Sequence, residues 1–70
     1  MINILTELPL APVKRIIQKA GGKIISDEAV VELANVMEEY GEEVAEVATK
    51  YSSHAGRKTV TSADIKLAIQ

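Results

Sequence analysis

Ser26 to Ser53, SDEAVVELANVMEEYGEEVAEVATKYSS, is the stretch on which the fold turns. It holds no Pro and a single Gly, and its apolar residues Val30, Leu33, Met37, Tyr40, Val44, Val47 and Tyr51 alternate between spacings of three and four. That is the period of a helix buried along one stripe, so the spacing predicts one long helix. Beside the stripe every seventh residue is small: Ala34, Gly41, Ala48 and Ala55. A row without side-chain bulk lets a second backbone approach closely. With fewer than four clean heptads, the pattern favours helices that cross over a coiled coil.

A helix of these 28 residues is about 42 Å long, more than a compact domain of this size spans. The other 42 residues of the 70-residue chain are too few to cover it. One domain is the most that 70 residues allow, and domains this small are marginal unless stapled or oligomeric. The chain has no Cys and one His, which excludes disulfides and a structural zinc site within a single chain. A partner chain is the expected source of stability. MINILTELPLAP has neither a basic lead nor a long apolar run, so a signal peptide and a membrane span are not expected, and the protein is expected to be soluble and intracellular.

The formal charge of −2 hides a segregation. From Leu8 to Ile25 the charged residues are Lys14, Arg15, Lys19 and Lys23, without an acid; from Asp27 to Glu46 there are eight acids and no base. From Val47 onward Lys50, Arg57, Lys58 and Lys66 face only Asp64. If the two ends of the chain meet in space they form one basic surface, leaving the long helix acidic. The acids fall off the apolar stripe without a His among them and are expected to be solvated, not to bind a metal ion.

Pro9 and Pro12 mark the start of a first short helix, because Pro is tolerated in a first turn. Val13, Ile16, Ile17 and Ala20 give it one buried face, and Gly21 and Gly22 end it. Lys23-Ile24-Ile25 is a brief β-type run, and Ser26 is the expected cap of the long helix. Gly56 stops that helix, Arg57 to Val60 form a second basic loop, and Thr61 with Asp64 three residues on suits a capping box. Ile65, Ala68 and Ile69 are the expected buried stripe of a last helix.

With that order in hand, LPLAPVKRII, the AGG of the first loop, SDEA and above all HAGRKTVTSADIKLAI resemble the archaeal histones over Leu8 to Ile69. The resemblance implies an all-α histone fold, residues 8–70, preceded by an extension at 1–7. It also implies a head-to-tail handshake dimer in which the long helices cross. The interface would use Leu33, Ala34, Met37, Tyr40, Gly41, Val44 and Ala48. By the same resemblance the first loop of one chain pairs with the second loop of the other. Lys23 then joins Lys58 and Thr59 in a DNA-binding patch, and Lys14, Arg15 and Lys19 of the first helices form another, with Arg15 matching the family's minor-groove arginine. Tyr51, His54, Asp64 and Leu67 match a contact between neighbouring dimers, with His54 bonded to an Asp64 across it; Arg57 pairs with Asp64 inside its own chain.

The resemblance implies sequence-nonspecific wrapping or compaction of double-stranded DNA, a homodimer or a heterodimer with another histone, and tetramers or larger stacks on DNA. It implies no catalysis, cofactor, metal or membrane, and a place with the chromosome in the cytoplasm. Several positions depart from it. Ile24 stands where relatives usually carry a second minor-groove Arg, Thr61 where Lys is common, and Ser53 where a base is usual; Tyr51 replaces a usual Leu. Gln70 stands where many relatives run on into a short basic tail. Weaker DNA affinity than the family norm is expected, and a second reading follows: an acidic module that dimerises with or caps other histones. Ser52, Ser53, His54 and Asp64 hold the residue types of a hydrolytic triad, but a chain this small offers no evident oxyanion hole or substrate pocket.

Overall fold

A computed structural model of the chain describes residues 6–70, which form α1 (Leu10–Lys19), α2 (Asp27–His54) and α3 (Ser62–Ala68). No strand occurs among the described residues, so Lys23-Ile24-Ile25 is irregular within the single chain. No helix is long and apolar enough to cross a membrane among these residues.

Each helix starts and stops where its backbone groups find partners. Pro9 is the N-cap of α1 and supplies no side-chain bond. Ser26 Oγ accepts from the Ala29 amide at 3.1 Å, capping α2. Both α1 and α2 end in the same device. Gly21 and Gly56 take positive φ, +107° and +72°. The amides that follow them reach back to the carbonyls of Ile17 and Ser52 at 3.0 and 2.9 Å, satisfying the last turn. α3 opens with a complete capping box between Thr61 and Asp64.

The chain packs as two compact units, Met1–Glu39 and Tyr40–Gln70. In the first, Val13, Val30 and Ala34 are buried, with Leu8, Ile17, Ile25, Leu33 and Met37 packed against them. The apolar stripe of α2 thus faces inward as far as Met37, whereas Tyr40 is 59% exposed and Val47 and Tyr51 are also open. In the second unit the buried residues are Ala48, Ser52 and Asp64.

Three expectations are corrected by this packing. Ile16 and Ala20 do not join Val13 and Ile17 in the buried face of α1 but are exposed. The buried residue of α3 is Asp64, while Ile65 and Ile69 lie open and Ala68 is half-covered. Finally, the small-residue row is divided. Ala34 and Ala48 are 0% exposed within the single chain, whereas Gly41 and Ala55 are exposed. The row's small size at Ala34 serves the close packing of α2 within its own unit, so neither alanine has surface left for a second chain.

Candidate nucleic-acid interface

In the first unit the core fixes the roll of α1. Val13 and Ile17 turn inward, and Lys14, Arg15 and Lys19 are left exposed on the remaining faces. The loop after α1 is held close to the helix: a Cβ on Gly22 would stand 2.7 Å from Ile17 Cγ2 and 3.6 Å from Ile25 Cγ1. Ile25 joins the core cluster, and its neighbours Lys23 and Ile24 are exposed.

Glu38 departs from the solvated role expected of the acids on α2. Its Oε1 accepts from the Thr6 hydroxyl and from the amides of Glu7 at 2.6 Å and Leu8 at 3.0 Å. The Thr6 hydroxyl chiefly lowers the Glu38 pKa below its ordinary value; burial opposes it, and the Glu7 and Leu8 amides add to the lowering. The bonds tie the segment ahead of α1 to the middle of α2. Part of the expected extension, Thr6 and Glu7, therefore packs onto the helix; Met1 to Leu5 lie outside the described residues. Nothing in the local pattern TELP signals that a carboxylate 31 residues on will collect these donors.

In the second unit Asp64 organises the loop between α2 and α3. Arg57 Nη1 and Nη2 donate to its two oxygens at 2.8 Å each, a bidentate ion pair. Oδ2 also accepts from the Thr61 amide at 2.8 Å and the Thr61 hydroxyl at 3.1 Å. The Arg57 guanidinium, followed by the Thr61 amide, holds the carboxyl well below the usual carboxylate range, outweighing the burial that opposes it. Arg57 Nη1 donates further to the Thr59 carbonyl at 3.0 Å. One guanidinium therefore fixes the backbone on which exposed Lys58 and Thr59 stand. Thr61 is committed to capping α3.

Of the remaining predicted site residues, Tyr51, His54 and Leu67 are exposed, while Asp64 is buried. A carboxylate has about four lone-pair directions, two on each oxygen. Among the described residues, three bonds to Asp64 fall on Oδ2 and one on Oδ1. No triad is assembled: Ser52 is buried with its hydroxyl bonded to the Arg57 carbonyl at 3.3 Å, and Asp64 is taken up by Arg57 and Thr61. Among the described residues no three His, Asp or Glu side chains converge on a point that could hold a metal ion.

The predicted interface residues divide by exposure. Tyr40 and Gly41 are open, Leu33, Met37 and Val44 are half-buried, and Ala34 and Ala48 are sealed. In the second unit Tyr40, Val44 and Val47 of α2 line an open groove of about 230 Å³ with Glu43, Ala68 and Ile69.

The short, long and short helices have counterparts among known proteins. A family model described as histone-like transcription factor (CBF/NF-Y) and archaeal histone matches residues 6–69. The chain belongs to the archaeal histone family. It is 47% identical over 66 residues to one of the subunits of archaeal histone HAN1 from Thermococcus zilligii, covering 94% of this chain and 98% of that protein. It is 39% identical over 66 residues, with the same coverage, to probable archaeal histone 3 of Methanocaldococcus jannaschii. The DNA-binding protein HmvA of the same organism is 46% identical over 59 residues, 84% of this chain and 62% of that protein. Archaeal histones are DNA-packaging proteins and not enzymes, and they act with the chromosome. They bind DNA and form homodimers and heterodimers, and the handshake pairing is typical of the family. The three helices, with no strand among the described residues, fit that histone fold.

Proposed function

We propose that this histone binds duplex DNA without sequence preference, as a dimer that wraps or compacts it, more weakly than typical relatives. The observation that carries the reading is the segregation of exposed charge. Lys14, Arg15, Lys19 and Lys23 stand in a stretch without an acid, and Lys58 and Thr59 stand on a loop stiffened by Arg57. Contacts to phosphate depend on local charge more than on the total, so a net charge of −2 does not oppose them. Dimerisation is supported by the shortage of core: four apolar residues are buried among those described, while Ile16, Tyr40, Leu67 and Ile69 are all exposed. Leu33, Met37, Tyr40, Gly41 and Val44 remain for the partner. The weaker affinity follows from Ile24, Ser53 and Thr61, which carry no charge, and from the engagement of Thr61 in a helix cap.

A second reading, a module that pairs with or caps a more basic histone, is favoured by the exposed Glu39, Glu42, Glu43 and Glu46 of α2. Both readings are tested by binding to random-sequence duplex across a salt series, alone and mixed with a basic histone. A steep fall of affinity with salt for the chain alone supports the first, with a log–log slope of roughly −0.9 per neutralised phosphate. Binding only in the mixture supports the second.

A further inference from the structure

α1 is poorly anchored by its own sequence. It is 10 residues long, its N-cap Pro9 makes no side-chain hydrogen bond, its first turn holds no acid, and of its residues Val13 alone is buried. Isolated helices shorter than about 12–15 residues are marginal in water, so something outside α1 has to fix where it begins. That anchor stands on α2. Glu38 Oε1 gathers the Thr6 hydroxyl and the amides of Glu7 and Leu8, and the Leu8 amide, the last donor before Pro9, is shared with Thr6 Oγ1 at 3.2 Å. Hydrogen bonds to an ionised acceptor are roughly twice as strong as neutral ones. The link from this anchor to the helix is short and stiff. Pro9 holds φ at −63°, and Leu8, preceding a proline, is confined to extended backbone while its side chain packs against the core cluster. No flexible joint separates Glu38 from the first turn of α1.

We propose that Glu38 is a positioning residue for DNA binding: through the strap Thr6 to Leu8 it fixes the entry of α1, and with it the placement of Lys14, Arg15 and Lys19 against the duplex. This rests on the DNA-binding reading above. Cations held in place before the encounter lose less conformational freedom on binding than cations that the DNA itself must order. The sign of the effect separates this role from a role of charge. Removing an acid from a DNA-binding protein strengthens its attraction to phosphate on electrostatic grounds, whereas removing the anchor of α1 weakens binding.

The experiment is binding of the full chain to random-sequence duplex across a salt series, compared with Glu38→Ala, Glu38→Gln and Thr6→Val. Glu38→Ala and Thr6→Val are each also combined with Arg15→Ala on α1 and with Lys58→Ala in the other unit, and sedimentation and circular dichroism check the folding of every variant. Glu38→Ala should lose several-fold in affinity, with a salt slope shallower by roughly one phosphate contact. Its loss should overlap with that of Arg15→Ala and multiply in full with that of Lys58→Ala, as coupled and independent sites do. Glu38→Gln keeps an oxygen acceptor for the same donors and should recover the binding. Thr6→Val keeps charge and shape without the hydroxyl, so it should show a smaller loss with the same pattern, and it decides the matter where Glu38→Ala does not fold. Binding by these two variants as tight as the parent's, or tighter, overturns the positioning role and leaves the DNA-binding reading standing. A loss that multiplies in full with both Arg15→Ala and Lys58→Ala also overturns it, since general destabilisation is then the cause. Absence of binding by the unmutated chain even at low salt overturns both.

Discussion

Gly41→Leu separates a chain that stands alone from one that is crossed by a partner, because the two cases give opposite signs. Gly41 lies in the middle of α2 with ordinary helical φ, and a Cβ built there meets nothing within 4 Å. In an isolated chain the substitution relieves the entropic cost of a mid-helix glycine and stabilises by about 0.5–1 kcal/mol. If a second backbone crosses at this position, as the neighbouring exposed Tyr40 suggests, the added side chain overpacks the contact. That costs about 1–3 kcal/mol per site, felt twice in a two-fold dimer. With the helix relief also felt twice, the net effect is then a loss of up to roughly 5 kcal/mol per dimer. Urea unfolding followed by circular dichroism over a hundredfold range of protein concentration measures it, since a coupled dimer has a midpoint that rises with concentration. We expect the unmutated chain to show that rise and Gly41→Leu to lower the midpoint at every concentration. A variant more stable than the parent, with midpoints independent of concentration, would refute the crossing at Gly41.

Arg15→Ala and Lys58→Ala should each weaken DNA binding about equally on all sequences and reduce the salt slope by roughly one phosphate contact, measured by fluorescence anisotropy in a salt series. His54→Ala should leave the dimer folded but abolish any ladder of nuclease-protected fragments, if the contact that the family resemblance assigns to His54 joins neighbouring dimers. The depressed Asp64 pKa means that the folded state favours the carboxylate. Its contribution is therefore complete above the ordinary Asp range and is lost as pH falls from about 4 toward the lower folded value. Asp64→Asn should accordingly unfold more easily at neutral pH and show a flatter acid titration by circular dichroism. Glu38→Ala should release the segment at Thr6 to Leu8 and raise its rate of proteolytic cleavage, because three donors lose their shared acceptor.

The sequence by itself determined the three helices and nearly all of their ends, because the signals are local. Ser26, Thr61 and Asp64 satisfy amides within three residues of themselves, and Gly21 and Gly56 supply the positive φ that closes a helix. The charge segregation was equally legible, and the exposure of Lys14, Arg15, Lys19, Lys23 and Lys58 leaves it on the surface. The bidentate Arg57–Asp64 pair came from family resemblance, since seven residues of separation do not specify an ion pair. Only tertiary structure decided which small residues are spent inside the chain. Ala34 and Gly41 share a periodic row, yet the first is sealed in a core and the second is open, because periodicity fixes a helix face without saying what lies against it. Tertiary structure also decided the partners of Glu38: hydrogen bonds that span some thirty residues depend on where the chain returns, and side-chain type carries no record of that.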